Sequence, residues 1–313
     1  MSSVLSLFQA LADPTRLRIL ALLRAMELSV GELAQVLGQS QPRVSRHVKT
    51  LLQSELISRR REGNWIFLMV GEDALIGPAL AAMDAWPEGD LGEQLRTDAL
   101  RLKAISVARV EAAQEFFETH ASVWDAIRSR HVPEIAVERE ILNLVGAGRT
   151  GSLVDIGTGT GRMLELLAGQ ADSLTGFDRS PSMLRLARAR LLEAGVTHAD
   201  VRQGDFYALP LPDASADLAI MHQVLHHAHQ PIAALTEAAR ILKPGGRFLL
   251  VDFGPHDQES FRQIYAHVHL GFSGAQMEKL FSRAGLDIVR FVALDGDLTV
   301  CLWLAEKPIV ARD

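Results

Sequence analysis

Three glycines alternate with threonines in the segment SLVDIGTGTGRMLELLA, between an apolar run and a helical pattern. Gly157, Gly159 and Gly161 permit a tight turn there, and they let backbone N–H groups approach a ligand at the start of a helix. Asp178 ends the next apolar run, LTGFD, where its carboxylate can accept hydrogen bonds from a ribose diol. This pattern predicts a nucleoside-binding turn, and it is compatible with NAD or FAD as well.

A second carboxylate narrows the choice of nucleoside. Asp205 stands in QGDFYALPLPDASADLAIMHQVLHH, and we expect it at a strand end, where it can accept a hydrogen bond from the exocyclic amine of adenine. The segment ILKPGGRFLLVDF then predicts a turn and another strand. Residues 151 to 253 thus resemble the class I S-adenosylmethionine-dependent methyltransferases, and specifically the small-molecule members of the ubiquinone/menaquinone-methylase type.

The resemblance implies an adenosyl cofactor, S-adenosylmethionine or S-adenosylhomocysteine. It implies that the methionine end of this ligand lies against Asp155 and the glycine turn. It also implies that the ribose is held by Asp178 and that the adenine meets Asp205. The complete set of residues expected to bind the ligand is Asp155, Gly157, Thr158, Gly159, Gly161, Asp178, Arg179, Met183, Asp205, Phe206 and His222.

Four histidines lie at or just after the strand predicted at DLAIMH: His222, His226, His227 and His229. His222 and His226 are four residues apart, a workable spacing for two metal ligands on one helix face, but the sequence indicates no carboxylate partners. Histidines are also frequent here in the methyltransferases that the chain resembles, so we expect no metal site. His227 and His256 are the candidates for a general base. Because methyl transfer needs positioning more than a dedicated catalytic residue, the lack of an evident base does not exclude an enzyme.

A second group of candidate residues lies near the N-terminus, on a helix predicted from Gln41 to Glu55. Its apolar face is formed by Val44, Val48, Leu51 and Leu52. Long cationic and amide side chains lie roughly opposite this face. Arginine and glutamine can hydrogen-bond to guanine and adenine edges, whereas lysine and serine suit phosphates. The residues predicted to bind DNA are Ser40, Gln41, Arg43, Ser45, Arg46, Lys49, Arg59 and Arg60.

The elements around this helix predict a helix-turn-helix. Asp13 caps one helix, and Ser29 with Glu32 forms a capping-box pattern for the next, which stops at Gly38. LISRRREGNWIFLMV then predicts two strands around a tip at residues 62–64. Three arginines in this hairpin are placed to contact the DNA backbone.

This region resembles the ArsR/SmtB family of winged-helix bacterial regulators over most of residues 5 to 70, through LADPTRLRILALL, VGELAQVLGQSQPRVSRHVKTL and the hairpin. The resemblance implies a homodimer, formed through helices such as one predicted from Glu72 to Trp86, on two half-sites of double-stranded operator DNA. In metal-sensing members the segment matching ELSVGELA carries two cysteine ligands. Ser29 and Gly31 stand at those positions and cannot replace two thiolates, so we expect the signal to enter elsewhere.

The predicted fold is multidomain. We expect an all-α-rich winged helix-turn-helix domain for DNA binding and dimerisation over residues 1–88, then a helical linker and N-terminal cap over residues 89–145. An α/β doubly wound domain, Rossmann-like and of the class I methyltransferase type, is predicted over residues 146–313. Between the domains, PEGDLG at residues 87–92 is the linker candidate, and a long amphipathic helix is predicted over residues 99–131.

Composition agrees with this division. Residues 1–70 carry a net charge of +4 and the remainder −10, which suits contact with a polyanion at one end only. Apolar runs stay well short of the about 18 residues that a membrane span needs. Cys301 is the single cysteine, which excludes a thiolate metal cluster within one chain. We therefore expect a cytoplasmic protein with no membrane partner.

Two functions remain open at this stage. In the first, the chain is a DNA-binding transcriptional regulator, a repressor, whose methyltransferase-like domain binds the adenosyl ligand as an effector. In the second, it is an active small-molecule methyltransferase that carries a DNA-binding head. The full chain, including DFGPHDQESFRQIYAHVHLGF, resembles fused regulators that respond to S-adenosylhomocysteine and control the methionine cycle. This resemblance favours the first function.

Overall fold

The computed structural model describes residues 4–62, 65–71, 76–77, 80–81, 83–84, 90–120 and 134–309. The chain divides into two compact units, Met1–Glu111 and Ala112–Asp313. No helix in these ranges is long and apolar enough to cross a membrane.

The first unit is a helix-turn-helix with a three-stranded antiparallel sheet of order β1-β3-β2. Its elements are α1 (Val4–Leu11), α2 (Pro14–Ala25), β1 (Leu28–Ser29), α3 (Val30–Leu37), α4 (Gln41–Gln53), β2 (Ile57–Glu62) and β3 (Trp65–Val70). Fully buried leucines and isoleucines of α2, α3 and α4 pack together with Leu68 of β3 to form its core. The predicted helices and the two strands of the hairpin are confirmed; two of the tip residues, 63 and 64, lie outside the described residues.

Local capping explains where these helices begin and end. The Asp13 carboxylate accepts a hydrogen bond from Arg16 N at 3.0 Å. At the start of α3, Ser29 N donates to Glu32 Oε2 at 2.8 Å and Glu32 N donates to Ser29 Oγ at 3.3 Å, which is the predicted capping box. Gly38 ends α3 with a φ of 63°, in the left-handed region that favours glycine.

A long helix, α5, runs from Asp90 to His120 and begins nine residues earlier than predicted. Residues 90–92, which were expected to form part of the linker, are helical, and the acidic residues of this first turn suit the positive end of the helix dipole. Asp98 is buried and holds Arg18 of α2 through two hydrogen bonds of 2.6 and 2.8 Å. Most of the helix predicted from Glu72 to Trp86, and residues 121–131 of the long helix, lie outside the described residues.

The second unit is an α/β domain built on a seven-stranded sheet. Its strands are β4 (Thr150–Ile156), β5 (Ala171–Asp178), β6 (Ala199–Gln203), β7 (Ala216–His222), β8 (Leu242–Phe253), β9 (Asp287–Leu294) and β10 (Val300–Glu306). Its helices are α6 (Glu134–Val145), α7 (Arg162–Leu166), α8 (Pro181–Glu193), α9 (Pro231–Ile241), α10 (Ser260–Ile264) and α11 (Gly274–Arg283).

The strand order is β6-β5-β4-β7-β8-β10-β9, with the first five strands parallel and β10 antiparallel to both of its neighbours. Successive residues of β4 face opposite sides, so Leu153 joins the core that contains α6, α7 and α8, and Val154 joins the core that contains α9 and α11. The chain leaves β4 for β5 and later returns for β7, and ligands bind at such a reversal, beside the carboxyl ends of the strands. The predicted doubly wound fold is confirmed.

Candidate functional site

The glycine turn follows β4 at the point where the strand order reverses. Gly157 N and Thr158 N both donate to the carbonyl of Phe177 on β5, at 2.8 and 2.9 Å. Gly157 has a φ of 77°, and a Cβ there would lie 2.4 Å from Cγ2 of Val224. Only glycine fits this combination of backbone angle and contact. The turn is therefore held against β5 on one side and Val224 on the other.

The remaining glycines give the turn its shape. Gly159 and Gly161 also have left-handed backbones, with φ values of 51° and 80°. A Cβ on Gly161 would lie 3.0 Å from Cβ of Ala187, so α8 packs closely beneath the turn. Three left-handed residues in five make the turn compact, and Gly161 N closes it by donating to the carbonyl of Thr158 at 2.8 Å.

Asp178 lies at the end of β5, beside this turn. Its Oδ2 accepts a hydrogen bond from Gly159 N at 2.9 Å, and its Oδ1 accepts one from Ser180 N at 2.8 Å. These two backbone donors fix the orientation of the carboxylate next to the glycines. The structure therefore brings together the two features that the sequence analysis singled out first. Ser180, which also caps α8, was not predicted to take part.

Other predicted ligand residues lie around the same edge of the sheet. Asp155 and Thr158 are buried, at the end of β4 and in the turn that follows it. Within the described residues, the Thr158 hydroxyl has no hydrogen-bond partner. Met183 is also buried, in the first turn of α8, and His222 is half-buried as the last residue of β7.

Two residues that were each expected to contact the ligand contact one another. Arg179 Nη2 lies 2.5 Å from Asp205 Oδ2, and Tyr207 N donates to Asp205 Oδ1 at 3.0 Å. The ion pair is partly exposed, at 37% for each side chain, so it is worth little as a source of stability. The rings of Phe206 and Tyr207 meet edge to face, with centroids 4.5 Å apart. Sequence reasoning could not foresee the ion pair because its members are 26 residues apart.

The two candidate bases are both uncharged at neutral pH. Burial lowers the pKa of His227 well below its ordinary value. Burial, reinforced by the neighbouring His226, lowers the pKa of His256 to about 4. Their rings can accept a proton, but a ring that is this hard to protonate is a weak base. Asp252 and His267 are also buried near these two histidines, and neither was predicted from the sequence as a site residue.

The predicted DNA-binding surface is exposed along α4. Arg43, Arg46 and Lys49 are exposed while Val44 and Val48 of the same helix are buried in the core. None of the three cations forms an ion pair with another described residue, so their charges face solvent. The other predicted residues of this region, Ser40, Gln41, Ser45 and Arg59, are exposed as well. Arg60 lies on β2, and its side chain is outside the described part of the chain.

Comparisons with known proteins agree with both units. Residues 13–59 match the family model described as bacterial regulatory protein, arsR family, and residues 154–250 match a methyltransferase domain. The chain joins an ArsR-type helix-turn-helix to a class I methyltransferase domain. The resemblance of the N-terminal region to the ArsR family and that of residues 151 to 253 to methyltransferases are thereby confirmed.

Curated proteins similar to this chain include methyltransferases. The chain is 31% identical over 144 residues to demethylmenaquinone methyltransferase from Tropheryma whipplei, covering 46% of this chain and 58% of the relative. It is 38% identical over 101 residues to a ubiquinone/menaquinone biosynthesis C-methyltransferase from Rubrivivax gelatinosus, covering 32% of this chain and 39% of the relative. It spans only about half the length of the curated relatives it matches.

A solved structure gives the same fold. A chain from the complex between the Haloferax volcanii Trm112 methyltransferase activator and a methyltransferase superposes with a TM-score of 0.54 at 22% identity. The match covers 64% of this chain and 100% of that chain.

Proposed function

We propose that the chain is a transcriptional regulator, a repressor, whose methyltransferase domain binds S-adenosylhomocysteine or S-adenosylmethionine as its effector. The observation that carries the proposal is the presence in one chain of an exposed cationic recognition helix and a glycine turn that holds Asp178. The first feature suits operator DNA and the second suits an adenosyl ligand. In this proposal the chain acts in the cytoplasm as a homodimer on two operator half-sites.

The DNA-binding half of the proposal rests on α4. A helix that buries Val44 and Val48 and exposes Arg43, Arg46 and Lys49 can enter a major groove without first breaking ion pairs to other described residues. Ser40, at the N-cap, makes no side-chain capping hydrogen bond, so its hydroxyl is available to a phosphate.

The ligand-binding half rests on a fit between the turn and an adenosyl group. The left-handed glycines leave space that a Cβ would fill, and the fixed Asp178 carboxylate offers an acceptor for ribose hydroxyls. Bound S-adenosylmethionine would supply an electrophilic methyl group on a sulfonium, whereas S-adenosylhomocysteine lacks this group. Asp205 and Phe206 are the residues proposed to face the adenine, with Arg179 holding the Asp205 carboxylate in place.

In this proposal the signal enters through the methyltransferase domain, since the cysteine pair of the metal-sensing members is missing. Ser29 and Gly31 occupy the positions of the two cysteines, and the Ser29 hydroxyl is already engaged with Glu32 at 3.0 Å. A ligand changes operator affinity only if it binds two states of the protein unequally, and a coupling of about 1–3 kcal/mol is sufficient. The two adenosyl ligands differ by a methyl group and a charge, so discrimination must arise around the sulfur atom.

The second candidate function is an active small-molecule methyltransferase with a DNA-binding head. It is favoured by the relatives from Tropheryma whipplei and Rubrivivax gelatinosus, whose names are those of methyltransferases. The weak basicity of His227 and His256 does not exclude it, because displacement at a methyl group needs positioning more than a base.

Calorimetry separates the two candidates. The purified chain is titrated with each adenosyl ligand, with and without a DNA fragment from its own promoter. We expect tight binding that changes when DNA is present, with a preference for S-adenosylhomocysteine. Binding of both ligands that does not depend on DNA would contradict the regulator and favour the enzyme.

A matched pair of variants tests the site itself. Asp178→Ala should weaken binding of the adenosyl ligand while DNA binding by the ligand-free chain stays near normal. Asp172→Ala is the control, because Asp172 lies on the same strand but is exposed and pairs only with Arg149 among the described residues. Equal loss of ligand and DNA binding in Asp178→Ala would argue against separate roles for the two units.

A further inference from the structure

Three histidines from two distant segments meet in the second unit. His226 and His227 lie in a 3-10 turn after β7, and His267 lies in the segment between α10 and α11. One ring nitrogen from each residue lies within 4.8 Å of the corresponding nitrogens of the other two. His226 and His267 are buried, with exposed fractions of 1% and 6%.

The surrounding groups orient two of these rings. His226 Nδ1 lies 2.7 Å from Oδ1 of Asp252, a carboxylate on β8 with no exposed surface. His227 Nδ1 lies 3.1 Å from the carbonyl of Ala266, which can only accept, so this nitrogen carries the proton. In the neutral form of either ring the lone pair is then on Nε2. Histidines that bind metal ions are commonly held in this way, with Nδ1–H bonded to a carboxylate or a backbone carbonyl.

The third ring has a buried polar atom in need of a partner. Nδ1 of His267 makes no hydrogen bond within the described part of the chain, although only 6% of the residue's surface is exposed. Leaving such a buried atom without a hydrogen bond is unfavourable, because the atom has lost its contact with water. The ring packs against His226 with centroids 3.9 Å apart, so the two side chains lie directly beside each other.

The backbone around the cluster is also unusual. Ala266, which supplies the carbonyl to His227 and precedes His267, has a left-handed φ of 55°. Gln223, just before the turn that carries His226, has a φ of 54°. Non-glycine residues in this region are strained, and such strain is concentrated at binding and catalytic sites.

We propose that His226, His227 and His267 form a site for one divalent transition-metal ion of the zinc class. Three nitrogens at about 2.0–2.1 Å from a tetrahedral ion stand about 3.4 Å apart. The present nitrogens lie within 4.8 Å of one another, so the three rings must move closer together to hold an ion. Neutral imidazoles suit Zn²⁺, Co²⁺ and Ni²⁺, and three protein ligands leave a fourth position for water or a substrate. No metal site was expected from the sequence, because no carboxylate partner was indicated for the histidines near β7 and His267 was not among the residues considered.

Neighbouring charges permit a cation here. The buried Asp252 carboxylate contacts His226 directly and contributes negative charge beside the site. Arg262 is the nearby cation, but it donates to the carbonyl of Val268 and its Nε lies 3.8 Å from Glu259.

His256 is excluded from the ligand set by its own hydrogen bond. Gln258 N donates to His256 Nδ1 at 3.3 Å, so in the neutral ring the proton is on Nε2 and the lone pair of Nδ1 is used. The ion would lie on the same edge of the sheet as the glycine turn, because Val224, which packs against Gly157, is two residues from His226.

The test measures metal binding by the full chain. The protein is freed of metal with a chelator and then titrated with Zn²⁺ against a coloured competing chelator. We expect one ion per chain in the wild type, and loss of that ion in His226→Ala and His267→Ala. Titration with Co²⁺ should give the intense visible bands of a tetrahedral site. The control His198→Ala, which removes an exposed histidine outside the cluster, should keep the ion.

Two further measurements keep the outcome decisive if a buried variant unfolds. Asp252→Asn keeps an acceptor for His226 but removes the charge, and it should weaken Zn²⁺ affinity about 10–100-fold. Zn²⁺ should also raise the midpoint of thermal unfolding in the wild type and in His198→Ala. No stoichiometric ion in the wild type, or an unchanged ion in His226→Ala, His267→Ala and Asp252→Asn together, would overturn the proposal.

Discussion

Replacing Gly157 by alanine should destabilise the methyltransferase domain through two separable effects. The residue has a φ of 77°, and a left-handed backbone disfavours a non-glycine residue by about 1–2 kcal/mol. The new Cβ would lie 2.4 and 2.8 Å from the two γ-methyl groups of Val224, and an overpacked contact of this kind costs about 1–3 kcal/mol. Together they lower the free energy of unfolding by about 2–5 kcal/mol.

The same chain contains a control that isolates the backbone effect. Gly195 has a φ of 69°, but a Cβ there would meet no atom within 4 Å. Gly195→Ala should therefore lose only the backbone part, about 1–2 kcal/mol. The difference between the two variants measures the contact with Val224. Valine is stiff at χ1 and cannot easily turn its methyl groups away.

A double variant then assigns the contact to its partner. In Gly157→Ala combined with Val224→Ala, both crowding methyl groups are absent, so part of the lost stability should return. We expect a coupling energy of about 1–3 kcal/mol between the two positions, measured by urea unfolding followed by circular dichroism. Hydrogen exchange in β4 should rise in the single variant and fall again in the double variant. If Gly157→Ala were no more damaging than Gly195→Ala, the close approach of Val224 to the turn would be wrong.

Three further predictions concern other parts of the molecule. Arg46→Ala should weaken operator binding by about 1–3 kcal/mol in a fluorescence anisotropy titration, and retained affinity would remove Arg46 from the interface. Asp98→Ala leaves the Arg18 guanidinium without its buried carboxylate, so the first unit should lose about 3–5 kcal/mol of stability in denaturant unfolding. A loss below about 1 kcal/mol would show that water takes the place of the Asp98 carboxylate. Burial raises the pKa of Asp217, but hydrogen bonds from Lys243 and Ser152 outweigh it and hold the pKa below its ordinary value. The stabilisation that ionised Asp217 contributes is thus present above about pH 4 and is lost as the pH falls through the lowered pKa. In Asp217→Asn the free energy of unfolding should therefore depend less on pH in this range.

Local signals predicted the helix-turn-helix well. The caps at Asp13, Ser29 and Gly38 depend on residues within a few positions of each other, and the structure has all three. The glycine turn and Asp178 were predictable for a similar reason, since strand ends of a parallel sheet meet at one edge. The sequence placed the start of α5 at residue 99, whereas the helix begins at Asp90. The acidic residues of its first turn, which favour a helix N-terminus, lie in the segment that was assigned to the linker.

Contacts between distant segments were beyond the reach of the sequence pattern. Asp205 was expected at a strand end, but nothing local indicated that Arg179 would take its carboxylate. The histidine cluster was missed for the same reason. The spacing along the chain indicated His222 and His226 as a possible pair. In the structure His226 contacts Asp252, which lies on β8, and His267, which lies in the segment after α10.

The capping box of α3 bears on any attempt to engineer a metal input into the first unit. Restoring thiolates would require cysteines at residues 29 and 31, and the two positions do not respond alike. A Cβ on Gly31 meets no atom closer than Ser29 Oγ at 3.9 Å, so there is room for the first atom of a side chain at this position. At Ser29 the hydroxyl accepts from Glu32 N, and removing such an N-cap costs about 0.5–2 kcal/mol. A cysteine at residue 29 would therefore supply a metal ligand at the cost of the N-cap of α3. A cysteine at residue 31 leaves this cap intact and is the better first substitution.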